Sequence, residues 1–337
     1  MPAPEPWYAR IDPPYPQTTF EVIDMTGWTA SDIPSQIGRT AVVTGTGGIG
    51  FQVALALARA GANVIVAGRN PLKGAAAVEQ VRQHVPFAHV RFGAVDLASL
   101  ESIEAFADTL RRSHGSLDLL VNNAAVMAPP QRRETADGFE LQFGTNHLGH
   151  FALTAHLLPL LRQGREARVV SLSSVAARNG AIDFADLQSK RRYTPMAAYS
   201  QSKLACLMFA FELQRRSAKE GWGIRSIAAH PGISRTDLLP NGAGARSVPG
   251  MARRYLWFLF QPAEQGALPP LFAATAPGAA AGAYYGPDRL GETRGHPRLA
   301  TIPPQAMDTD VAERLWQASE RLTASVFDPG GGHRATS

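Results

Sequence analysis

Tyr199 and Lys203 stand four positions apart in Tyr199-Ser200-Gln201-Ser202-Lys203, at the start of a segment that reads as a helix. Their side chains therefore share one face, a turn apart. A phenol ordinarily loses its proton near pH 10. An ammonium about 4 Å away favours the phenolate by about 4 kcal/mol at an effective dielectric of 20, enough for a general acid and base that works near neutrality. Such pairs are common on protein surfaces, so the companion motifs decide. Thr44-Gly45-Thr46-Gly47-Gly48-Ile49-Gly50 satisfies G-x-G-x-x-G at Gly45, Gly47 and Gly50, between a β-branched run and an alanine-rich helix. Glycines there let the backbone approach a pyrophosphate, whose charge meets the free N–H groups of a helix N-terminus. The next apolar run ends Ala67-Gly68-Arg69-Asn70 with no carboxylate to hold ribose hydroxyls. Arg69 suits a 2′-phosphate instead, which favours NADP(H) over NAD(H).

Positioning these groups requires a scaffold of alternating elements. Short apolar runs at 40–44, 63–67, 89–94, 117–122, 168–173 and 224–230 read as strands. Helical patterns lie between them at 51–59, 71–84, 99–114, 137–162 and 196–220. Strands that are apolar along their whole length imply a parallel sheet covered on both faces. The fold class is α/β: a Rossmann-like, doubly wound parallel sheet in three α/β/α layers, in which ligands bind beyond the carboxyl ends of the strands. The chain divides into a proline-rich arm over 1–36, one domain over 37–327 and a flexible tail over 328–337. An amphipathic terminal helix is expected at 308–324. Within the domain, 233–260 reads as a lid whose apolar stretch Tyr255 to Phe260 closes over a hydrophobic substrate. An interfacial helix, with Arg253 and Arg254 on anionic lipid, is the second reading of that stretch.

Composition narrows the function classes. The 337 residues carry 33 Lys and Arg against 28 Asp and Glu; the modest, dispersed positive charge gives nucleic-acid binding little support. One cysteine, Cys206, excludes an intrachain disulfide and a thiolate metal site; its apolar neighbours make it a buried small hydrophobe. No two histidines stand at metal-ligand spacing beside carboxylates: His147 and His150 read as packing or capping groups, and His230 as a candidate to line the pocket. The N-terminus lacks a basic start followed by an apolar run, and the uncharged stretch 265–287 is broken by Pro269, Pro270 and Pro277. A cytoplasmic protein without a membrane span is expected.

At this point the chain resembles the short-chain dehydrogenase/reductases over about 38–236. The family's glycine loop corresponds to Thr44 through Gly50, and its adenine-contacting acidic pair to Asp96-Leu97. Its Asn-Asn-Ala-Gly motif corresponds to Asn122-Asn123-Ala124-Ala125, and its helix asparagine to Asn146. The strand-end serine falls on Ser174, beside Ser173, and the Tyr/Lys pair on Tyr199 and Lys203. The Pro-Gly step is Pro231-Gly232, followed by Ile233, and a later threonine beside the nicotinamide is Thr236. Thr135-Ala136-Asp137-Gly138-Phe139-Glu140, Asn146-His147-Leu148-Gly149-His150-Phe151 and the long segment between Ser174 and Tyr199 are similar to the retinol dehydrogenase and protochlorophyllide reductase branch. Two departures stand out. The usual loop is T-G-x-x-x-G-x-G, whereas only Thr46 and Gly47 separate Gly45 from Gly48, and Ala125 replaces a glycine.

The resemblance implies hydride exchange between nicotinamide and a hydrophobic secondary alcohol or ketone. Tyr199 is then the general acid or base, Ser174 holds the substrate oxygen, Lys203 tunes the tyrosine and bonds the nicotinamide ribose, and Asn146 holds a relay water. Thr44, Gly45, Thr46, Gly48, Ile49, Gly50, Arg69, Asp96, Leu97, Asn123, Ala124, Ala125, Pro231, Gly232, Ile233 and Thr236 are the expected cofactor contacts, together with Tyr199 and Lys203. Reduction of a carbon–carbon or carbon–nitrogen double bond uses the same residues, and a cofactor-binding scaffold without turnover is the reading from another class. A homodimer would draw on apolar residues of the helices at 137–162 and 196–220.

Overall fold

The computed structural model describes Met25, residues 27–234 and residues 261–327. The six expected strands appear as β1 (Thr40–Thr44), β2 (Asn63–Gly68), β3 (Val90–Ala94), β4 (Leu119–Asn122), β5 (Arg168–Leu172) and β6 (Arg225–Ala229). Two further strands, β7 (Tyr284–Arg289) and β8 (Arg294–Leu299), extend the sheet to the order β3-β2-β1-β4-β5-β6-β7-β8. β1 to β7 run parallel, and β8 returns antiparallel along β7 at the edge. Period-two alternation divides the core between the two faces. Ala41, Val43, Val64, Val66, Leu119 and Val121 share one cluster, whereas Val42, Ile65, Ala67 and Leu120 belong to another. Both faces are apolar because helices cover both.

The first five helices are α1 (Gly48–Arg59), α2 (Pro71–His84), α3 (Leu100–Ser113), α4 (Gly149–Leu161) and α5 (Pro195–Lys219). α2 starts where Asn70 Oδ1 accepts from Lys73 N at 3.0 Å, with Pro71 at the first helical position. The helix expected from 137 starts later, because Thr135 to Gly138 form a turn. Gly138 has φ +81°, Thr135 Oγ1 accepts from Phe139 N at 3.2 Å, and Glu134 bridges to Glu140. One wide π turn, Phe143–Leu148, then precedes α4, an insertion frequent at functional positions. It carries Asn146.

Beyond β6 the described chain contains α6 (Ala263–Gly266), α7 (Leu268–Thr275) and α8 (Thr309–Thr323). The alanine- and proline-rich stretch over 265–287 thus builds helix and strand: Leu271, Phe272 and Tyr285 join the core beside α1. Among the described residues no helix is long and apolar enough to cross a membrane. α8 packs on α4 and α5. Trp316 meets Phe151 edge-on at 5.0 Å and stacks on Phe209 at 5.8 Å, and Phe327 lies 4.4 Å from Trp316. His147 Nε2 lies 2.8 Å from Ser319 Oγ, joining the π turn to α8. Phe151 of α4 and Phe209 of α5 are therefore covered from within the chain. Of the expected arm over 1–36, residues 1–24 and 26 lie outside the described residues, as do 235–260 of the expected lid over 233–260 and the tail over 328–337.

Candidate active site

The loop between β1 and α1 is Gly45-Thr46-Gly47, and the helix begins at Gly48. It closes with one residue fewer than the usual pattern because two glycines take the left-handed region, Gly45 at φ +101° and Gly48 at φ +53°. Gly45 N donates to Ala67 O at 2.8 Å, fastening the loop to β2. Gly45, Thr46, Gly48 and Ile49 line a cleft of about 1120 Å³. Gly50 lies behind them, where a Cβ would stand 2.5 Å from Asn123 Nδ2 and 2.6 Å from Gly45 O.

Thr44 does not reach the cleft; it is fully buried. Its Oγ1 accepts from Asn123 N at 2.9 Å and Ala124 N at 3.0 Å, tying the turn after β4 to the glycine loop. The same hydroxyl lies 2.9 Å from His150 Nε2, and His150 Nδ1 lies 2.9 Å from Asn146 O. A carbonyl only accepts, so the bonding pattern assigns the ring proton to Nδ1 and makes Thr44 the donor to Nε2. Asn123, Ala124 and Ala125, held by this network, face the cleft.

Farther along the cleft stand Ser174, Tyr199 and Lys203. α5 presents the Tyr/Lys pair from consecutive turns, and both side chains are buried apart from their approach to the cleft. Lys203 Nζ donates to Leu172 O at 2.9 Å, which anchors the ammonium at the end of β5. Ser173 Oγ donates to Lys203 O at 2.8 Å, a structural bond. Ser174 Oγ accepts from Ala176 N at 3.2 Å, capping the 3-10 turn Val175–Asn179 and leaving the hydroxyl proton to donate.

Asn146 sits behind the cleft and is fully buried. Its Oδ1 accepts from Val126 N at 2.7 Å, and its Nδ2 donates to Val126 O and to Ser202 Oγ, both at 2.9 Å. Ser202 Oγ in turn donates to Tyr199 O at 2.8 Å. The side chain thus ties the segment after β4 to the turn of α5 that carries the tyrosine. Its carbonyl accepts from His150 and from Cys206 Sγ, at 3.1 Å for the sulfur. Cys206 is the buried small hydrophobe expected.

The remaining expected contacts divide. Pro231, Gly232 and Ile233 line the cleft, whereas Asp96 and Leu97 do not. Asp96 Oδ1 accepts from Ala98 N at 3.0 Å, and Leu97 belongs to the core. Arg69 is exposed at the end of β2 and stands outside the cleft wall, which Lys73 joins from the first turn of α2. Sequence reasoning missed Lys73, although Arg-x-x-x-Lys straddling a helix start is a legible signal for two cations near one anion. His230 is fully buried and lies beneath the cleft, not on its wall. Thr236 lies outside the described residues.

Three of these buried histidines are held neutral. Burial, reinforced by His150, lowers His147 to about 3. Burial, reinforced by Lys203, lowers His150 to about 4, and burial also lowers His230. The unfolded chain therefore binds more protons once the pH falls below about 6.5, and stability falls with it. His147 and His150 each contribute up to about 1.4 kcal/mol per pH unit to that loss. Urea midpoints should drop steadily between pH 6.5 and 4.5; a flat profile there would show that these rings titrate alike in both states.

Comparison with known proteins places this geometry. The short chain dehydrogenase family model matches residues 39–244. Mouse polyprenol dehydrogenase is 41% identical over 308 residues, covering 89% of this chain and 87% of its own. Human retinol dehydrogenase 13 is 41% identical over 291 residues, covering 85% and 84%. An uncharacterized protein from Mycobacterium paratuberculosis has a crystal structure that superposes with a TM-score of 0.75 at 40% identity, covering 90% of this chain and 100% of that one. The RhlG/NADP active-site complex of Pseudomonas aeruginosa superposes with a TM-score of 0.59 at 25% identity, covering 74% and 94%.

Proposed function

The chain belongs to the short-chain dehydrogenases, in their retinol dehydrogenase-like branch, and from that membership we propose that it exchanges hydride between NADP(H) and a hydrophobic secondary alcohol or ketone. It is an oxidoreductase acting on CH–OH and C=O groups. One observation carries the finer reading: a single cleft is lined both by the glycine loop with its helix N-terminus and by Ser174, Tyr199 and Lys203. The residues fit a dinucleotide. Gly45, with φ +101° and a would-be Cβ only 2.7 Å from Asn123 Nδ2, leaves bare backbone where a pyrophosphate must approach.

Bound there, the nicotinamide supplies the hydride donor or acceptor. Tyr199 takes the proton from the alcohol, or gives it to the carbonyl oxygen, at its phenolic oxygen. Ser174 donates to the substrate oxygen and stabilises the charge that develops on it. Lys203, its ammonium held by Leu172 O, reaches the cofactor ribose. Asn146 keeps the turn of α5 in register through Ser202, a positioning role that replaces direct contact. The polyprenol and retinol dehydrogenase relatives support an apolar substrate. With α8 on α4 and α5, we propose that the enzyme works without a partner at that face.

Arg69 and Lys73 underlie the preference for NADP(H). Each charge-assisted bond to a 2′-phosphate is worth about 1.5–3 kcal/mol. Arg69→Ala and Lys73→Ala should therefore each weaken NADPH binding about tenfold to a hundredfold, while NADH affinity stays within about threefold. Fluorescence titration of both nucleotides, followed by a screen of apolar ketones, tests the proposal. Absence of binding by either nucleotide to the wild type would end it.

A further inference from the structure

We infer that Glu292 is a positioning residue for the nicotinamide end of the cleft: its carboxylate fastens the turn between β7 and β8 to the segment 231–233 and to the 3-10 turn that begins at Ser174. Glu292 lies beyond the residues matched by the family model and does not line the cleft. Both of its oxygens are engaged. Oε2 lies 3.1 Å from His230 Nε2 and accepts from Arg178 Nη2 at 2.6 Å. Oε1 accepts from Thr301 N at 2.9 Å and from Thr301 Oγ1 at 2.7 Å. Arg178 belongs to the 3-10 turn capped by Ser174. His230 passes the tie onward, its Nδ1 accepting from Gly232 N at 3.3 Å.

The neighbouring backbone shows how closely this turn is docked. Ile233 N donates to Thr293 O at 2.8 Å. A Cβ at Gly232 would stand 2.4 Å from that same oxygen, and one at Gly286 would stand 2.0 Å from His230 Nε2. Glu292 itself takes φ +67°, a left-handed conformation that side-chain-bearing residues adopt when their surroundings over-determine it. Burial would raise its carboxyl, yet the bonds from His230 and Thr301 outweigh burial and bring it to about 2, so the clamp is anionic throughout the working range. Gly232, Ile233 and Ser174 line the cleft; the carboxylate ties to Gly232 through His230 and to the turn of Ser174 through Arg178, and the adjoining Thr293 holds Ile233. A misplaced cofactor ring or substrate oxygen costs rate steeply.

The functional half of this inference rests on the dinucleotide reading, whereas the structural half does not. Hydrogen exchange on the protein without ligand tests the structural half. In Glu292→Ala the amides of 232 and 233 should exchange at least about tenfold faster, with those of β6 unchanged. Arg178→Met, which removes a half-exposed partner and spares the buried carboxylate, should give a smaller rise at the same amides. Exchange at wild-type rates in both variants would overturn the inference. Binding tests the functional half. Glu292→Ala should weaken NADP+ about tenfold and leave 2′,5′-ADP, which lacks the nicotinamide, unchanged, and Glu292→Gln should restore part of the loss. A parallel loss for both ligands, or no loss, would also overturn it. Failure of wild type to bind NADP+ or NAD+ would instead remove the dinucleotide reading, with the exchange result still deciding whether the clamp exists.

Discussion

Tyr199→Phe should reduce turnover by about 10²- to 10⁴-fold, the usual contribution of a positioned proton donor and acceptor, while dinucleotide affinity stays within about threefold. The ring body is buried and lines the cleft together with Ser200 and Lys203, so phenylalanine keeps the packing and deletes only the oxygen. A second phenol stands close by, but Tyr284 cannot replace it. Burial raises the Tyr284 pKa despite its hydrogen bond with Ser173, and it lies outside the cleft wall. Single-turnover measurement with preformed enzyme and cofactor separates chemistry from binding. Turnover within a few-fold of wild type would remove Tyr199 from the mechanism.

Gly50→Ala should prevent productive dinucleotide binding although the new methyl group never enters the cleft. Its Cβ would stand 2.5 Å from Asn123 Nδ2, 2.6 Å from Gly45 O and 3.1 Å from Thr44 O. Two of these are backbone atoms, and Asn123 Nδ2 is pinned by its own 2.7 Å bond to Thr44 O, so the glycine loop itself must move. Overpacking of this kind costs about 1–3 kcal/mol, partly offset by about 1 kcal/mol of helix propensity gained by alanine. The net change in stability is therefore modest. Binding should suffer more, by at least about tenfold, because the pyrophosphate needs the loop amides where they are. Unchanged NADPH affinity in a folded Gly50→Ala protein would show that the loop tolerates displacement.

The parts of the fold that repeat a local pattern were legible in the sequence. The helical patterns read from 71 and from 99 start within one residue of the helices in the structure, and six apolar runs became six strands. Strands β7 and β8 escaped because their signals look like breaks. Gly286 reads as a flexible point, yet it exists to make room for His230. Pro297 argues against a strand until one sees that β8 is an edge.

The candidate site divides in the same way. Ser174, Tyr199 and Lys203 converge on one cleft as their motifs implied. Thr44, Asn146 and Glu292 act through bonds to residues 79, 56 and 62 positions away, and no local spacing encodes a partner so distant. Lys73 was within reach of sequence reasoning, since it follows Arg69 by one helical turn.

The seat of α8 bears on how the molecule is made. About 90 residues separate the end of α5 at Lys219 from the start of α8 at Thr309. At a synthesis rate of about 5–20 residues per second, that interval lasts roughly 5–20 s. Until it ends, Phe151 and Phe209 lack the indole of Trp316 that covers them in the finished protein. The nascent chain thus holds an aromatic trough open to chaperones, or to another nascent copy, until α8 arrives.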